Sequence, residues 1–539
     1  MNNIYRCFAL AVALAVSVQA FAQDLDPTVV VDRAYEGKLM EVHKPVLEMA
    51  VPDTVMRFDL DFDYAVFERP YKGSYEFNPY LLSMKPSAAT DKAGRFYLRA
   101  GAGYQLRPEV DVIWSPVLKN KALRLDVFGY HRSYIGNYYL TVGGESEKSK
   151  GSFLKSKAGI NAGYDWKKSS LSASVSYNGV QGFGNGEKLR GFNAVDADFS
   201  VGTRADVHSG FVYSADVSYR HAADRGMKED FICAGLSFEA DMRKAGRFRL
   251  DVEAEHDGCN GLASGSASVA SVVPHYVYKI GRLHADLGLR LSKVVAEKGS
   301  GLYDFSAKEQ YLYPDVDVRL SLVPDWLMIF AKAGGGNCIV SYSDIVEKSY
   351  FLAGGMGVEV ERISAEAGME GRIGNKFSWN MHAGYADYAS AALEMGGNAY
   401  AVAYAPCQSW HGTVEWLWRS DRFMADGAVT YRNSWGDAFR SEKGFFKPAS
   451  IEGDVSFEYN FNRRIFAGLS CSFSSARKAS AGLQDLPGYA DLGLSAEYVT
   501  SRSLSFWIKG GNLLGMSIQK HPLYAVKGPY ATVGISLKL

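Results

Sequence analysis

The feature that most restricts this fold is the strict alternation of apolar and polar residues in long stretches after residue 95. Successive side chains of a β-strand point to opposite faces, so each such stretch has one apolar and one polar face. The two faces of residues 247–256 carry Phe248, Leu250, Val252 and Ala254 against Arg247, Arg249, Asp251, Glu253 and Glu255. The pattern recurs in residues 95–104, 170–179, 211–220, 282–291 and 465–473.

The alternating stretches are about 9 to 13 residues long, which is the length of a tilted strand that crosses a bilayer. Strands of a soluble sandwich have only about five or six residues. We therefore expect the apolar faces to contact lipid and the polar faces to line a wet lumen. Tyr, Phe and Trp near the strand ends should form two interfacial girdles. The sequence predicts an all-β fold, a transmembrane antiparallel β-barrel.

The connections between these stretches are of two kinds. Short polar turns are predicted at residues 118–121, 166–169, 323–325, 419–422, 460–464 and 500–503. Longer links are predicted at residues 132–152, 179–191, 294–309, 433–447, 475–488 and 512–529. Short turns on one side and long loops on the other are typical of outer-membrane barrels. At about 20 residues per strand and connection, residues 95–539 accommodate about 22 strands, within a range of about 20 to 24.

The N-terminus predicts export. In MNNIYRCFALAVALAVSVQAFAQ, Arg6 precedes an apolar run that ends in the small-x-small site Ala20-Phe21-Ala22. Residues 1–22 are therefore a predicted signal peptide. The rest of the chain has no apolar run of helical-span length, so we expect no transmembrane helix. We divide it into an N-terminal periplasmic or lumenal segment, 23–94, and an outer-membrane barrel, 95–539.

The segment 23–94 contains RFDLDFDYAVFERP, in which Asp59, Asp61 and Asp63 have the spacing of the first calcium ligands of an EF-hand. An EF-hand loop needs Gly at its sixth position and Glu at its twelfth, and these positions hold Tyr64 and Pro70. The alternation instead predicts a strand whose apolar face is Phe58, Leu60, Phe62, Tyr64 and Val66. We expect that face to pack against the barrel mouth, the lumen wall or a partner protein.

Two segments resemble a known family. The C-terminal stretch SLSFWIKGGNLLGMSIQKHPLYAVKGPYATVGISLKL resembles the closing hairpin of TonB-dependent receptors. The matching residues are Asn512, Leu513, Leu514 and Tyr524, with Gly528-Pro529 in reversed order. The pattern PDTVMRFDLDFDYAVFERP resembles the N-terminal extension of plug-less, receptor-like barrels of the Bacteroidota type. This resemblance implies a receptor-like barrel in the cell outer membrane.

The chain also departs from that family. It ends in Leu539, where the family usually has an aromatic residue. The segment 23–94 is shorter than the globular plug of a TonB-dependent receptor. Thr28-Val29-Val30-Val31 resembles a TonB box, but an edge strand has the same composition. We therefore expect no TonB contact.

No arrangement of reactive residues predicts chemistry. The ten histidines occur singly, and residues such as His284 and His382 are interpreted as lumen or girdle residues. Ser152 and Lys155 match SxxK, but they lie in a predicted strand rather than on a helix. Gly334–Gly336 and Gly354–Gly357 complete no nucleotide-binding loop. Five cysteines after the signal peptide show no CxxC spacing: Cys233, Cys259, Cys338, Cys407 and Cys471.

We therefore expect no enzyme activity, and no catalytic, cofactor or metal site. The whole chain has 59 basic and 59 acidic residues, which gives no support for nucleic-acid binding. Two functions remain open. The first is a receptor-like transport protein or conduit for small polar solutes, without a full plug. The second is a structural or assembly subunit of an outer-membrane complex. Expected partners are outer-membrane lipid and periplasmic or outer-membrane proteins that bind residues 23–94.

Overall fold

A computed structural model describes most of the chain after residue 94. The described ranges are 95–142, 145–184, 187–204, 210–242, 246–261, 264–297, 308–324, 326–348, 356–396, 401–440, 444–480, 482–521 and 527–539. The predicted signal peptide, the strand within 57–70 and the possible TonB box lie outside these ranges. Tyr524 of the predicted closing hairpin lies outside them as well.

The described residues form one antiparallel sheet of 22 strands. The strands are β1 Phe96–Gly103, β2 Glu109–Trp114, β3 Leu123–Val142, β4 Glu145–Asp165, β5 Ser169–Gly184, β6 Glu187–Thr203, β7 Phe211–Asp224, β8 Met227–Asp241, β9 Arg247–Asn260, β10 Gly265–Ile280, β11 Leu283–Glu297, β12 Lys308–Val323, β13 Leu327–Val340, β14 Gly357–Ile373, β15 Phe377–Met395, β16 Ala401–Arg419, β17 Phe423–Trp435, β18 Ile451–Phe461, β19 Ile465–Ser474, β20 Tyr489–Val499, β21 Leu504–Gly511 and β22 Tyr530–Lys538. Each strand pairs with the next, and β1 pairs with β22. The sheet is thus a closed barrel without a free edge, which confirms the predicted fold class and strand number.

The outer face of the barrel is apolar. On β8, the outward positions of the central part are Ile232, Ala234, Leu236 and Phe238, while Ser237 and Glu239 point inward. The outward side chains Ile232, Leu236 and Phe238 have 39–44% of their surface exposed. Large apolar side chains with this exposure recur around the ring, which is the pattern of a lipid-facing band. The sequence alternation therefore predicted the two faces correctly.

The two ends of the barrel differ in their connections. The end that holds the C-terminus, here called the turn end, has short connections such as 166–168, 281–282, 420–422 and 462–464. The opposite end, the loop end, has long connections at 298–307, 341–356, 436–450, 475–488 and 512–529. All six predicted short turns lie at the turn end, which confirms their assignment.

Two of the predicted long links are wrong. Within 132–152 the strands β3 and β4 continue to pair up to Val142 and Glu145, and within 179–191 β5 and β6 pair up to Gly184 and Glu187. The physical reason is that these hairpins extend past the apolar band. There the inward positions hold buried aromatic side chains, among them Tyr134, Tyr138 and Phe153.

Aromatic side chains mark both ends of the apolar band. At the turn end, neighbouring rings lie close together on the outer face, as in the pairs Phe211–Phe238, Phe377–Trp418, Phe423–Phe457 and Tyr459–Phe461. At the loop end, Trp410 lies 5.0 Å from Tyr431 between ring centroids. Aromatic rings at these two levels, with Tyr and Trp among them, are typical of membrane interfaces, as the sequence predicted.

Helix is rare in the described residues. The helix α1, Tyr342–Lys348, lies in the connection between β13 and β14, and a single 3-10 turn, Asp437–Arg440, follows β17. Over the described ranges, no helix has the length and apolar character that a membrane span needs. Gly335 lies within β13, where the register with β14 shifts between Gly334 and Gly336. A Cβ at Gly335 would lie 2.6 Å from the Tyr313 ring, so the glycine run is part of a bulged strand.

Candidate functional site: the lumen and its folded-in loop

Charged side chains of the lumen wall are joined into networks. The Arg249 guanidinium lies 2.9 Å from Asp251 and 2.9 Å from Asp286, and Nδ1 of His275 lies 2.8 Å from Asp286. These residues come from β9, β10 and β11, so the network crosses three adjacent strands. The inward positions predicted from the sequence of 247–256 are therefore lumen positions, and each arginine there is paired with neighbouring carboxylates.

A second network lies next to the first and toward the loop end. The guanidinium of Arg290 on β11 bonds Glu253 on β9 at 2.8 Å and Asp315 on β12 at 3.1 Å. Together the two networks contain two guanidinium groups and four carboxylates, so acidic groups are in excess on this part of the lumen wall. The surface is strongly polar and is suited to contact with water and polar solutes.

The helix α1 begins with a reciprocal cap. The Ser341 hydroxyl accepts a hydrogen bond from the backbone N–H of Asp344, and the Asp344 carboxylate accepts one from the N–H of Ser341. Each side chain thus satisfies a backbone donor that the helix leaves free at its N-terminus. The sequence Ser341-Tyr342-Ser343-Asp344 has this capping spacing, so local sequence accounts for the start of α1.

The barrel wall holds the N-terminus of α1 through Glu229 of β8. The Glu229 carboxylate accepts hydrogen bonds from the backbone N–H groups of Tyr342 and Ser343, the latter at 3.1 Å, and from the Ser343 hydroxyl. Glu229 is 1% exposed, so water competes little for these donors. A carboxylate at this position also interacts favourably with the positive end of a helix.

A second acidic group, Asp224 at the end of β7, holds the α1 side chain of Tyr342. Its carboxylate accepts hydrogen bonds from the Tyr342 hydroxyl at 2.7 Å, from Arg190 at 2.6 Å and from the Gly191 N–H at 2.8 Å. Burial alone would raise the pKa of Asp224, but the hydrogen bonds from Arg190, Tyr342 and Gly191 outweigh it and lower this pKa. Asp224 is therefore ionised at neutral pH and anchors the helix.

The apolar side of α1 contacts walls on opposite sides of the ring. Val346 and Tyr342 share an apolar cluster with Val180 of β5, Phe192 of β6 and Met227 of β8. Ile345 packs against Val402 of β16. In a ring of 22 strands, β5 and β16 occupy opposite positions. The helix therefore bridges the loop end of the lumen, and each fully buried aliphatic side chain contributes about 1.5–3 kcal/mol to holding it there.

Beside Glu229 lie two further buried groups, Asp257 and Cys259 of β9. The Cys259 Sγ lies 3.7 Å from Glu229 and 4.0 Å from Asp257. These residues lie beyond the apolar band, because the outward neighbours Asp230 and His256 are already polar. Burial and then the charge of Glu229 raise the pKa of Asp257 to about 8. At neutral pH Asp257 therefore keeps its proton beside the Glu229 carboxylate.

A third connection point at the loop end is Glu394 of β15. Its carboxylate lies 2.7 Å from Arg477 and 2.6 Å from His521, which belong to the connections 475–488 and 512–529. Burial would raise the pKa of Glu394, but the hydrogen bond of His521 and the charge of Arg477 hold it at about 2. A cavity of about 170 Å³ lies against this ion pair and is also lined by Glu452 and Lys520.

Asn512, part of the predicted closing hairpin, organises the connection 512–529. Its side chain accepts a hydrogen bond from the Met516 N–H and donates to the carbonyls of Met516 and Lys527. Its φ of 48° lies in the left-handed region, which Asn adopts more readily than most residues. The conformation and these hydrogen bonds explain why an Asn lies at the start of this connection.

Other residues that the sequence singled out lie apart. Ser152 and Lys155 lie in β4, and no helix carries them, as predicted. His284 and His382 lie on inward faces of β11 and β15, as predicted. The spacing of the histidines in the sequence did not predict that His382 lies close to His411 of β16, with ring centroids 5.9 Å apart. Only the register between β15 and β16 brings these two residues together.

The barrel fold has known structural counterparts. The chain is similar to the FrpB iron transporter from Neisseria meningitidis (F3-3 variant), with 11% identity, a TM-score of 0.64 and coverage of 84% of this chain and 82% of that one. It is also similar to the copper transporter OprC, with 11% identity, a TM-score of 0.60 and coverage of 84% and 82%. A third match is the siderophore receptor PiuA from Acinetobacter baumannii, with 10% identity, a TM-score of 0.59 and coverage of 83% and 82%.

At such low identity these similarities show the fold alone. No protein-family model matches the sequence. No curated protein sequence matches it either. The protein is a large closed β-barrel with the architecture of those transporters, an apolar outer face and a charged lumen.

Proposed function

We propose that the protein is a receptor-like conduit of the outer membrane that passes small polar solutes through its lumen. The observation that carries the proposal is a charged lumen wall inside an apolar-faced barrel, with α1 bridging the loop end. The fold shared with iron, copper and siderophore transporters supports the location and the class of function. In this proposal residues 23–94 take the place of a full plug, and the protein works without TonB contact.

In this proposal α1 is the part that limits passage at the loop end. Its attachment through Glu229 depends on hydrogen bonds from two backbone N–H groups and one hydroxyl. Each hydrogen bond to a charged acceptor contributes about 1.5–3 kcal/mol. Removing the carboxylate therefore weakens the attachment of α1 to the barrel wall by on the order of 5 kcal/mol. The barrel wall itself keeps its strand pairing.

The test is single-channel conductance of the purified protein in planar bilayers. Glu229→Ala is compared with Asp230→Ala, the adjacent residue on β8, whose side chain points outward to His221. We expect Glu229→Ala to increase the open time or the conductance and Asp230→Ala to behave as the unchanged protein. A variant with 342–348 replaced by Gly and Ser should conduct most.

A barrel that stays closed in all of these variants would contradict the conduit. In that case the second function from the sequence, a structural or assembly subunit, would be favoured, and co-purification from native membranes would identify its partners. Heat-modifiable mobility on gels confirms that each variant still forms a closed barrel before conductance is measured.

A further inference from the structure

A cluster of three potential metal ligands lies on the lumen wall, away from α1. The cluster consists of Glu366 on β14, His382 on β15 and His411 on β16. The register places Glu366 opposite Gly384 and Gly384 opposite His411, so Glu366 and His411 lie on either side of Gly384 in one row across adjacent strands. His382 is two residues from Gly384 on the same strand and therefore points to the same face.

The ligand atoms converge. One atom from each of the three side chains can be chosen so that all three lie within 4.8 Å of one another. Nε2 of His411 is 3.8 Å from Oε2 of Glu366. A metal about 2.0–2.1 Å from each ligand keeps tetrahedral ligand atoms about 3.3 Å apart. Small side-chain rotations would therefore close the site, without any change in strand register.

The hydrogen bonding of His382 points to a ligand. Its Nδ1 is buried, and no hydrogen-bond partner for it exists among the residues that the structure describes. A buried imidazole nitrogen without a partner is costly, and a bound cation would satisfy it. The backbone also makes room for the cluster. A Cβ at Gly384 would lie 2.7 Å from the His411 ring, so this position must lack a side chain for His411 to lie where it does.

We propose that Glu366, His382 and His411 form a binding site for a divalent transition-metal ion such as Zn²⁺. Two imidazoles and one carboxylate match the ligand preference of Zn²⁺, Ni²⁺ and Cu²⁺ over that of Ca²⁺ or Mg²⁺. Three protein ligands leave a coordination position open to water or to a lumen solute. The inference does not rest on conduction, because the site would bind metal in a closed barrel as well.

One neighbour opposes the metal. Nζ of Lys332 on β13 lies 3.8 Å from Oε1 of Glu366, so its charge repels a cation and competes for the carboxylate. The proposal therefore predicts that one substitution increases the affinity for metal. Replacing Lys332 by Met should tighten metal binding, whereas a purely structural role of the cluster predicts no such gain.

The test is Zn²⁺ titration of the detergent-solubilised full chain, purified without a histidine tag, by competition with a chelating dye. A second group of possible ligands, Glu229, Asp257 and Cys259, lies elsewhere, so all proteins carry Cys259→Ser to reduce its contribution. We expect His382→Ala and His411→Ala each to lose one equivalent of Zn²⁺ or at least tenfold in affinity. Gly384→Ala should weaken binding because it displaces His411, although it removes no ligand.

The matched control is His284→Ala, a lumen-facing histidine of β11 outside the cluster, which should bind as the parent protein does. Co²⁺ should give a visible d–d absorption band that His382→Ala abolishes and His284→Ala keeps. Heat-modifiable gel mobility verifies folding of every variant. Equal stoichiometry and affinity in the parent, His382→Ala and His411→Ala would overturn the proposal, as would unchanged affinity in Lys332→Met.

Discussion

Two adjacent residues of β14 allow a strict test of which barrel face contacts lipid. Met369 points outward between Ile329 of β13 and Met381 of β15, with 44% of its surface exposed. Glu370 points inward, opposite Asn380 of β15. The changes Met369→Arg and Glu370→Arg place the same side chain one residue apart, and only its direction differs.

The expected cost follows from the position of Met369 in the apolar band. On β14 the outward positions between Ile363 and Ile373 are Ala365, Ala367, Met369 and Gly371, and none of these residues is charged. These ten residue steps cover about 34 Å of strand. A tilt of about 40° reduces this to about 26 Å along the barrel axis, close to the height of the apolar band in known barrels. Met369 lies one residue from the middle.

An arginine near the midplane of the lipid-facing side costs about 2–4 kcal/mol. That range corresponds to a change of about 30- to 900-fold in the folding equilibrium. At Glu370 the new guanidinium would face the lumen, where Asn380 Oδ1 has no hydrogen-bond partner among the described residues and can accept from it. We therefore expect Glu370→Arg to stay within about 1 kcal/mol of the unchanged protein.

The assay is folding into lipid vesicles at increasing urea concentration, followed by the gel shift between unboiled and boiled samples. Met369→Arg should lower the urea midpoint, and Glu370→Arg should leave it nearly unchanged. Equal midpoints for the two variants, or a larger loss for Glu370→Arg, would refute the assignment of the outer face.

Three further predictions concern the attachment of α1, residues 23–94 and the connection 512–529. Because the pKa of Asp257 is raised to about 8, the folded state retains a proton that the unfolded chain loses near pH 4. The contribution of Asp257 to the stability of the attached α1 should thus be full below about pH 4 and be lost as the pH rises to about 8. Asp257→Asn should remove this decline in limited proteolysis between about pH 5 and 8, where Asp224 stays ionised. Deleting 23–94 should increase conductance and sensitivity to bulky antibiotics if that segment occludes the lumen, and an equally tight barrel would assign the segment to a partner surface. Asn512→Ala should increase protease cleavage within 512–529, because it removes three side-chain hydrogen bonds. The left-handed backbone of this residue also becomes less favourable by about 1 kcal/mol. Unchanged cleavage would show that other contacts hold this connection.

The alternating pattern was sufficient to predict the barrel and its apolar outer face, and the length of residues 95–539 at about 20 residues per strand and connection predicted its strand number. This is so because the two-residue period is local, and every strand such as 247–256 repeats it without reference to its neighbours. The cap of α1 could also have been found locally, since Ser341 and Asp344 have the capping spacing. The glycine run 334–336, which completes no nucleotide-binding loop, lies in β13 where the register shifts.

The tertiary structure decided which residues meet across the ring. His382 and His411 are distant in sequence, and so are Glu229 and α1, which no local period relates. Strand register determines the first pair, and packing across the lumen determines the second. The length of the β3–β4 and β5–β6 hairpins likewise depended on pairing beyond the apolar band, where lipid no longer selects the outward residues. The sequence by itself therefore determined the strands of the barrel and their two faces, because contact with lipid selects the residues of each strand separately. Only long-range packing and strand register determined which residues meet in the lumen.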